Sequence, residues 1–498
     1  GCKELTSVTI PNSVTCIGYD AFSLCKGLTE ITVPDEVTYI GRGAFSYCDN
    51  LASITVPDSV MNLEEDTFSD TAYYKNEANW KDGVFYVGNH LIKAKGTVEG
   101  VYSVKPGTKT IATLAFDNCT KITEIKIPDS VVKIGEYVFS RCNALEKITV
   151  SPQNSFYCSQ NGVLFNKAVT ELIRYPEAKT DKAYVIPDGV TTLSSLSFNG
   201  CENIESVKMP DSLTLINMSA FSGCKKLKYI VLPNGLTFLG RAAFSGCESL
   251  VSVVIPNTVT HIDYGVFMGC KNLVSVTMPD NLTSMGWSVF SGCESLEYVK
   301  LPERLGAIQA QVFGGCKNLK SITIPESVDG ISGGAFMGSG LETIYGCKGS
   351  YAEEYASENG YKFVAIADLK NSEFNISVKG EVDYTAALEV KLLSSDKSKI
   401  TYDITLTKDG KAIQPDGTVT VKIPVPESLD GAKCRVYRVE ENGKNTDMNA
   451  EFKDGFMVFK TTHFSKYILT TDDLSVVYGD INGDGKINTV DLAMLRKY

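Results

Sequence analysis

The sequence is poor in the residues that most often carry catalysis, and it contains no long apolar run. Its 498 residues include only three histidines and two tryptophans. No apolar stretch reaches the roughly 18 residues that a membrane-spanning helix needs, so we expect no membrane span. The net charge of −11 and the lack of a Lys/Arg cluster argue against nucleic acid or an anionic lipid surface as a partner.

Recognisable enzyme signatures are also missing. We find no Walker sequence, no G-x-G-x-x-G after a predicted strand, and no carboxylate pair in a glycosidase-like setting. Ser332 matches the G-x-S-x-G pattern, but it occupies a repeat position and no alternating strand and helix pattern surrounds it. A Cys/His zinc site has little support because no C-x-x-C pair occurs. We therefore predict that this chain is not an enzyme.

What the sequence does contain is a unit of 23 residues, seen most cleanly from Cys224 to Cys247. Each unit runs from Cys through Leu to a short aliphatic alternation, then Pro, a second aliphatic pair and Ala-Phe. The alternation predicts a short strand with one buried face, which proline ends. A fixed period of this length predicts a solenoid in which neighbouring coils cover one another. The spacing is obeyed by Phe22, Phe45 and Phe68, by Phe116 and Phe139, and by Phe221, Phe244, Phe267, Phe290, Phe313 and Phe336.

The order Ala-Phe, Cys, Leu and Ile-Pro resembles the leucine-rich repeats of the BspA-like family of bacterial cell-surface proteins. The resemblance covers roughly residues 1 to 366 and implies a mainly β leucine-rich-repeat solenoid. We predict the solenoid over 1–347 and a C-terminal cap over 348–366, in which Ser350 N-caps a short helix that ends near Gly360. Since Cys2 already lies 23 residues before Cys25, we expect a capping unit and a leader upstream.

Cysteines mark the repeat as well. Eleven of the fifteen fall on one position of the unit, which we expect to be a buried rung where cysteine acts as a small hydrophobe with a weak donor. Rungs about 4.8 Å apart do not by themselves forbid disulfides. We nevertheless expect reduced thiols because stacked side chains point in parallel. The eleven are Cys2, Cys25, Cys48, Cys119, Cys142, Cys201, Cys224, Cys247, Cys270, Cys293 and Cys316.

Two inserts, at about 71–105 and 151–186, interrupt the period. Each contains a hairpin signal, Asp82-Gly83 in the first and Asn161-Gly162 in the second. Either they only splice two coils, or they and the exposed strand positions beside them form a ligand site.

Most outward strand positions carry Ser or Thr, and four carry larger side chains. Tyrosines on such a face could stack on a sugar or anchor a protein partner, or they could be ordinary cross-strand neighbours. We take these four residues, Tyr229, Tyr298, Lys208 and Lys300, as the candidate ligand-binding surface.

Beyond the cap, strict alternation replaces the 23-residue period. Val419, Val421 and Ile423 alternate with polar residues, and Asp409-Gly410, Asn442-Gly443 and Asp454-Gly455 are hairpin signals. About seven short strands over roughly a hundred residues predict a β-sandwich at 367–473.

The last segment, 477–498, carries the one motif with a defined chemical task. Its oxygen-bearing residues occupy positions 1, 3, 5, 7, 9 and 12 of an EF-hand-type loop, with Gly485 at the sharp turn. Hard oxygen ligands at this spacing suit Ca²⁺. The predicted ligands are Asp480, Asn482, Asp484, Lys486 through its carbonyl, Asn488 and Asp491.

Asp491 stands where an ordinary EF-hand has Glu, and the predicted helix begins only after the loop. Both features resemble a type I dockerin, the module that binds a cohesin domain of a scaffoldin. The resemblance implies that Thr489, Val490, Arg496 and Lys497 contact the cohesin. A dockerin normally has two loop-helix halves, and this segment corresponds to the first half.

Three hypotheses for function follow. The first is a non-catalytic, secreted binding or scaffold protein, whose solenoid recognises a protein or carbohydrate and whose dockerin joins a cellulosome-like complex acting on polysaccharide. The second is a cell-surface adhesin that binds host or partner proteins. The third is an accessory region of a polysaccharide-degrading enzyme whose catalytic domain lies elsewhere.

Overall fold

The computed structural model describes residues 1–383, 385–396, 398–415, 417–440, 444–472 and 474. They form two compact units. The first comprises Gly1–Lys320 and Gly330–Leu341, and the second comprises Ser321–Asp329 and the chain from Glu342. The predicted domain boundaries stay predictions, but the predicted fold class, a mainly β solenoid, is confirmed.

In the first unit each coil contributes strands to two parallel ladders. The first ladder contains the strands that precede the repeat proline. It is divided into several sheets, and within each sheet neighbouring strands pair in parallel, mostly with a 23-residue offset, as in Glu30 with Ser53. Its strands are Glu30–Thr32, Ser53–Thr55, Glu99–Ser103, Lys121–Ile127, Lys147–Val150, Ala183–Val185, Ser206–Lys208, Tyr229–Ile230, Ser252–Val254, Ser275–Thr277 and Tyr298–Val299.

The second ladder contains the aliphatic pair before Ala-Phe, again paired in parallel, as in Ile17 with Ile40. Its strands are Cys16–Ile17, Tyr39–Ile40, Asn62–Leu63, Thr110–Ile111, Lys133–Ile134, Thr192–Leu193, Leu215–Ile216, Phe238–Leu239, His261–Ile262, Ser284–Met285, Ala307–Ile308 and Gly330–Ile331.

The repeat phenylalanines stack along the axis of the array. Consecutive rings lie nearly parallel, for example 5.2 Å apart between Phe221 and Phe244 and 5.6 Å between Phe244 and Phe267. Phe244, for example, lies between the rings of the preceding and the following coil, so a single coil cannot bury its own phenylalanine. Burial of one such side chain contributes about 1.5–3 kcal/mol, which makes the ring stack a main source of stability.

Each phenylalanine turn needs two left-handed residues, two positions before and two positions after the ring. After the ring the later coils use glycine, as in Gly246 and Gly269, with φ of 71° and 74°. The earlier coils hold other residues in this conformation, among them Tyr47 and Arg141 with φ of 57° and 54°. A side chain in this region costs about 1–2 kcal/mol, so the coils of the two halves are not equally relaxed.

The cysteine position forms a buried ladder of reduced thiols, as expected, except that Cys2 is exposed. Seven of the buried thiols donate to the phenylalanine carbonyl of the preceding coil, with Sγ–O distances of 3.1–3.2 Å: Cys48, Cys142, Cys224, Cys247, Cys270, Cys293 and Cys316. Burial raises the pKa of Cys270 and Cys316 to about 12. These thiols are therefore inert structural donors at neutral pH.

Both inserts are three-stranded antiparallel meanders whose last strand joins the second ladder. The first also holds the short helix Ala72–Lys75 and the 3-10 helix Glu77–Asn79. Its strands are Trp80–Lys81, Val84–Val87 and His90–Ala94, and those of the second insert are Tyr157–Gln160, Val163–Asn166 and Glu171–Arg174. Both predicted hairpin turns are present, with two left-handed residues each, Asp82-Gly83 and Asn161-Gly162.

The second unit begins with the parallel sheet of Ser321–Thr323, Thr343–Gly346 and Lys362–Ala365 and the helix Tyr351–Asn359. Gly360 ends this helix in the left-handed conformation, as predicted. Ser350 is the N-cap residue, as predicted, but its hydroxyl donates to the Cys347 carbonyl at 2.6 Å and makes no capping hydrogen bond to the helix.

The rest of the second unit is a sandwich of two antiparallel sheets around one apolar core, and it has more strands than the seven expected. Val419, Val421 and Ile423 face that core, as the alternation predicted. One sheet has Ala367–Asn371, Ile376–Gly380, Val419–Pro424, Phe456–Thr461 and Glu451–Lys453 in that order. The other has Ala387–Ser395, Lys399–Lys408, Lys466–Thr470, Arg435–Val439 and Asn445–Asp447, with Lys411–Ile413 beside Lys399–Lys408.

Among the described residues, no helix is both long and apolar enough to cross a membrane.

Candidate functional site

The four residues of the predicted ligand surface all lie on the outer face of the first ladder. Tyr229 and Tyr298 are 67% and 60% exposed, and Lys208 and Lys300 are exposed as well. The two tyrosines share one column but are three coils apart, roughly 14 Å at the usual strand spacing. A single sugar ring therefore cannot contact both, and only an extended ligand or a protein surface would span them.

Sequence reasoning missed the apolar character of the neighbouring column. Val185 pairs with Lys208, and the next two coils present Val231 and Val254 at the same position. Val231 is 80% exposed, and Val185 and Val254 are also largely open to solvent. The signal was in the sequence, because an outward strand position that is apolar in several coils is visible once the register is known.

A second feature is a cleft at the second insert, which we call the second-insert cleft. It has a volume of about 510 Å³ and lies between three segments: the phenylalanine turn 133–140, the insert residues 156–174, and the next turn 194–196. Phe156, Tyr157, Glu171 and Arg174 line it from the insert side. The sequence pointed to the inserts as possible ligand sites, and the structure shows an opening of this size at the second one.

Arg174 and Glu177 form a buried ion pair beside this cleft. The Arg174 guanidinium donates to Glu177 and also to the carbonyl of Leu196. Burial raises the pKa of the Glu177 carboxyl, and the nearby guanidinium only partly opposes this rise. The Arg174 Nε atom is buried without a hydrogen-bond partner. The wall of the cleft thus contains a cation that is already compensated by its own carboxylate.

The predicted calcium and cohesin-binding residues lie outside the described residues. Within the described part of the chain, no group of three or more His, Cys, Asp or Glu side chains is arranged to hold a metal ion. The oxygen-rich donor set at 480–491 still suits Ca²⁺ by its chemistry.

Stacked 23-residue coils with paired parallel ladders and a phenylalanine stack define a leucine-rich-repeat solenoid. The family model described as BspA type Leucine rich repeat region, with six copies, matches residues 1–97, 101–176, 178–268 and 237–359. The chain belongs to this family. A second family model, Dockerin type I domain, matches residues 463–498.

Two solved bacterial structures are similar to the chain. A leucine-rich repeat protein from Eubacterium ventriosum is 30% identical, with a TM-score of 0.48, over 66% of this chain and 80% of that one. A leucine-rich repeat protein from Bacteroides ovatus is 25% identical, with a TM-score of 0.37, over 70% of this chain and 87% of that one.

One curated relative is an enzyme. Glucan endo-1,3-beta-D-glucosidase of Acetivibrio thermocellus is 32% identical over 84 residues, which is 17% of this chain and 11% of the relative. Leucine-rich-repeat arrays and dockerins are themselves non-catalytic modules, and together they suggest a component of a cellulosome-type complex.

Proposed function

We propose that the protein is a secreted, non-catalytic binding or scaffold component of a cellulosome-like complex in polysaccharide breakdown. Its dockerin binds a cohesin in a calcium-dependent way, and its solenoid carries the ligand surface. The observation that supports this most is the presence of a BspA-type array and a type I dockerin match on one chain. The partial likeness to a glucan-hydrolysing enzyme fits the same setting.

In this proposal the loop at 480–491 would hold Ca²⁺ next to the recognition residues. Asp480, Asp484 and Asp491 supply negative charge to the ion. Thr489 and Val490 lie between the last two ligands, so ion binding fixes their position. Arg496 and Lys497 follow in the predicted helix and would add positive charge to the contact with the cohesin.

The test is capture of the full-length protein by a panel of immobilised cohesins, in calcium and in chelator. Asp480→Ala with Asp484→Ala should abolish both calcium binding and capture. Thr489→Asp with Val490→Asp is the matched control, since it should retain calcium binding, measured by calorimetry, and lose capture. Failure of every cohesin to bind the wild-type protein in calcium would show that the assembly role is wrong.

A protein ligand on the first ladder is the second candidate function, and it corresponds to an adhesin. Val231 and Val254, which are exposed on adjacent coils beside Tyr229, favour it, because contiguous exposed apolar residues mark protein-binding surfaces. Pull-downs with matrix proteins and with insoluble polysaccharide distinguish this adhesin function from the proposed role in polysaccharide breakdown. Val231→Lys should eliminate binding of a protein ligand, whereas retention of binding would place the contact elsewhere.

A further inference from the structure

The second-insert cleft lies where the second ladder is interrupted. Lys133–Ile134 ends one sheet, and the next sheet of this ladder contains Glu171–Arg174 but not Lys133–Ile134. The hydroxyl of Tyr157 accepts a hydrogen bond at 2.9 Å from the Ile134 backbone N–H, so a side chain satisfies the open edge. The resulting opening of about 510 Å³ falls within the range of roughly 300–1,000 Å³ typical of small-molecule sites.

Aromatic rings form one side of the cleft. Phe156 lines it and is 51% exposed, in contrast to the buried phenylalanines of the repeat. Tyr137 and Tyr157 also line it and are only partly buried. An apolar ring face held open to solvent beside polar groups is suited to stacking on the apolar face of a flat, amphipathic ligand.

Hydrogen-bonding groups form the other side. Glu171 accepts from the Ser194 hydroxyl and lines the cleft half-exposed. Glu136 lines it from the preceding coil, and Asn217 and Ser195 line it from the following coils. The Asn217 amide is oriented by its bond of 3.0 Å to the Leu193 carbonyl. Carboxylates beside an amide and hydroxyls are acceptors and donors for a ligand rich in hydroxyl groups.

The charges around the cleft favour an uncharged ligand. Two carboxylates, Glu136 and Glu171, oppose an anion. Lys133 lines the same cleft and opposes a cation, whereas Arg174 is neutralised by Glu177. A ligand with neither charge meets no such penalty.

We infer that the second-insert cleft binds a neutral oligosaccharide, with Phe156 stacking on a sugar ring and Glu171 and Glu136 accepting from its hydroxyls. This inference deepens the proposed function, on which it rests for the class of ligand. It assigns carbohydrate to the second insert and not to the tyrosines of the first ladder.

The test is calorimetry of the full chain with neutral β-1,3- and β-1,4-linked gluco-oligosaccharides. We expect saturable binding to at least one of them. Phe156→Ala and Glu171→Gln should each weaken it about 5- to 10-fold or more, and Phe156→Tyr should retain it because the ring is kept. Tyr47→Ala removes an equally exposed aromatic residue outside the cleft and should leave affinity unchanged, and Tyr229→Ala tests the alternative site on the first ladder.

Three results would overturn the inference: no oligosaccharide binds, binding is unaffected by Phe156→Ala, or Tyr229→Ala is the variant that abolishes it. Preferential binding of a lysine-rich peptide over the oligosaccharides would likewise assign the cleft to a protein ligand. Because Phe156 is exposed, its loss should leave the fold intact, and unchanged far-ultraviolet circular dichroism checks this. Cohesin capture, measured on the same variants, reports separately on the assembly role.

Discussion

The two inserts share one topology but differ in the size of the cavity beside them. Each adds a three-stranded meander whose last strand pairs in parallel with the next coil, His90 with Thr110 in the first and Glu171 with Thr192 in the second. At the first insert the space beside the phenylalanine turn shrinks to about 10 Å³. At the second it remains about 510 Å³. The first insert is therefore tightly packed, whereas the second leaves space for a ligand.

The difference comes from what fills the gap. In the first insert Tyr73, Tyr74 and Trp80 pack around Phe85, with ring centroids 5.1–5.8 Å from it. Trp80 also donates to the Tyr74 carbonyl at 2.7 Å, which fixes its ring. In the second insert the rings of Tyr175 and Tyr184 pack against Phe198 instead, and Phe156, which lines the cleft, remains half-exposed. The same three-stranded meander can therefore either fill the space beside the phenylalanine turn or form one wall of a cleft.

The largest expected effect contrasts these two phenylalanines. Phe85→Ala removes a fully buried ring at the centre of the cluster and should cost about 3–5 kcal/mol of unfolding free energy. Phe156→Ala should cost no more than about 0.5 kcal/mol, as expected for an exposed site. Urea unfolding of both variants, followed by circular dichroism, measures the difference. Equal losses of stability would mean that the second insert is sealed in solution and that the comparison fails.

The next effect concerns two cations at equivalent positions. Arg174 donates to the Leu196 carbonyl, and Lys93 donates to the Leu114 carbonyl at 3.1 Å in the first insert. Only Arg174 is buried against a carboxylate. Arg174→Met would leave Glu177 buried and unpaired and should cost about 3 kcal/mol, at the lower end for a broken buried pair because the carboxyl can take up a proton.

Lys93→Met is the matched control and should cost less than about 1 kcal/mol, since its amine is half-exposed and has no buried partner. The double change Arg174→Met with Glu177→Gln should recover much of the loss. A cost for Arg174→Met as small as that for Lys93→Met would show that the ion pair is solvated. Thermal unfolding of the three variants side by side decides this.

The sequence predicted the coils well because each depends on a repeated local pattern. The 23-residue spacing of phenylalanine and cysteine reflects the stacking period, so the solenoid and its buried cysteine rungs both followed from it. The hairpin turns were predictable for the same reason, since Asp82-Gly83 and Asn161-Gly162 supply the two left-handed residues that such turns require.

The cleft was not predictable in the same way. Its size depends on how side chains of separate elements, such as Tyr74 of the short helix and Phe85 of the hairpin, pack against one another in three dimensions. Sequence marked where the period breaks, but it did not show that the first break is filled and the second is open. The exposure of Tyr229 and Tyr298 could be predicted from the sequence. The distance between these two side chains along the solenoid axis follows only from the strand register. The roles of both surfaces stay predictions.

A smaller effect is expected at the hairpin glycines. A Cβ atom at Gly83 would lie 2.9 Å from the side chain of Val98, which is buried, whereas one at Gly162 would meet the flexible side chain of Lys147 at 3.0 Å. Both residues have φ near 80°. Gly162→Ala should therefore cost about 1 kcal/mol for the backbone, and Gly83→Ala about 2 kcal/mol. Chemical denaturation of both variants compares them, and the reverse order would contradict the tighter packing of the first insert.

The smallest effect is a pH dependence confined to the first insert. His90 is buried and accepts at Nδ1 from the Thr110 hydroxyl at 2.7 Å, because its Nε2–H must donate to the Pro57 carbonyl at 3.0 Å. Burial lowers its pKa below the usual 6.5. The unfolded chain thus binds the proton more readily, and stability should fall as pH drops below about 6.5.

From pH 7 to pH 6 one such histidine can account for no more than about 0.7 kcal/mol. His90→Gln should remove that share of the slope, and His261→Gln, at an exposed position, should not change it. The position equivalent to His90 in the second insert is Glu171, which lines the cleft instead of closing a gap. Unfolding midpoints of the wild type and the two variants at both pH values test whether the buried His90 stabilises the first insert. Identical pH slopes in all three proteins would mean that His90 does not stay buried in solution.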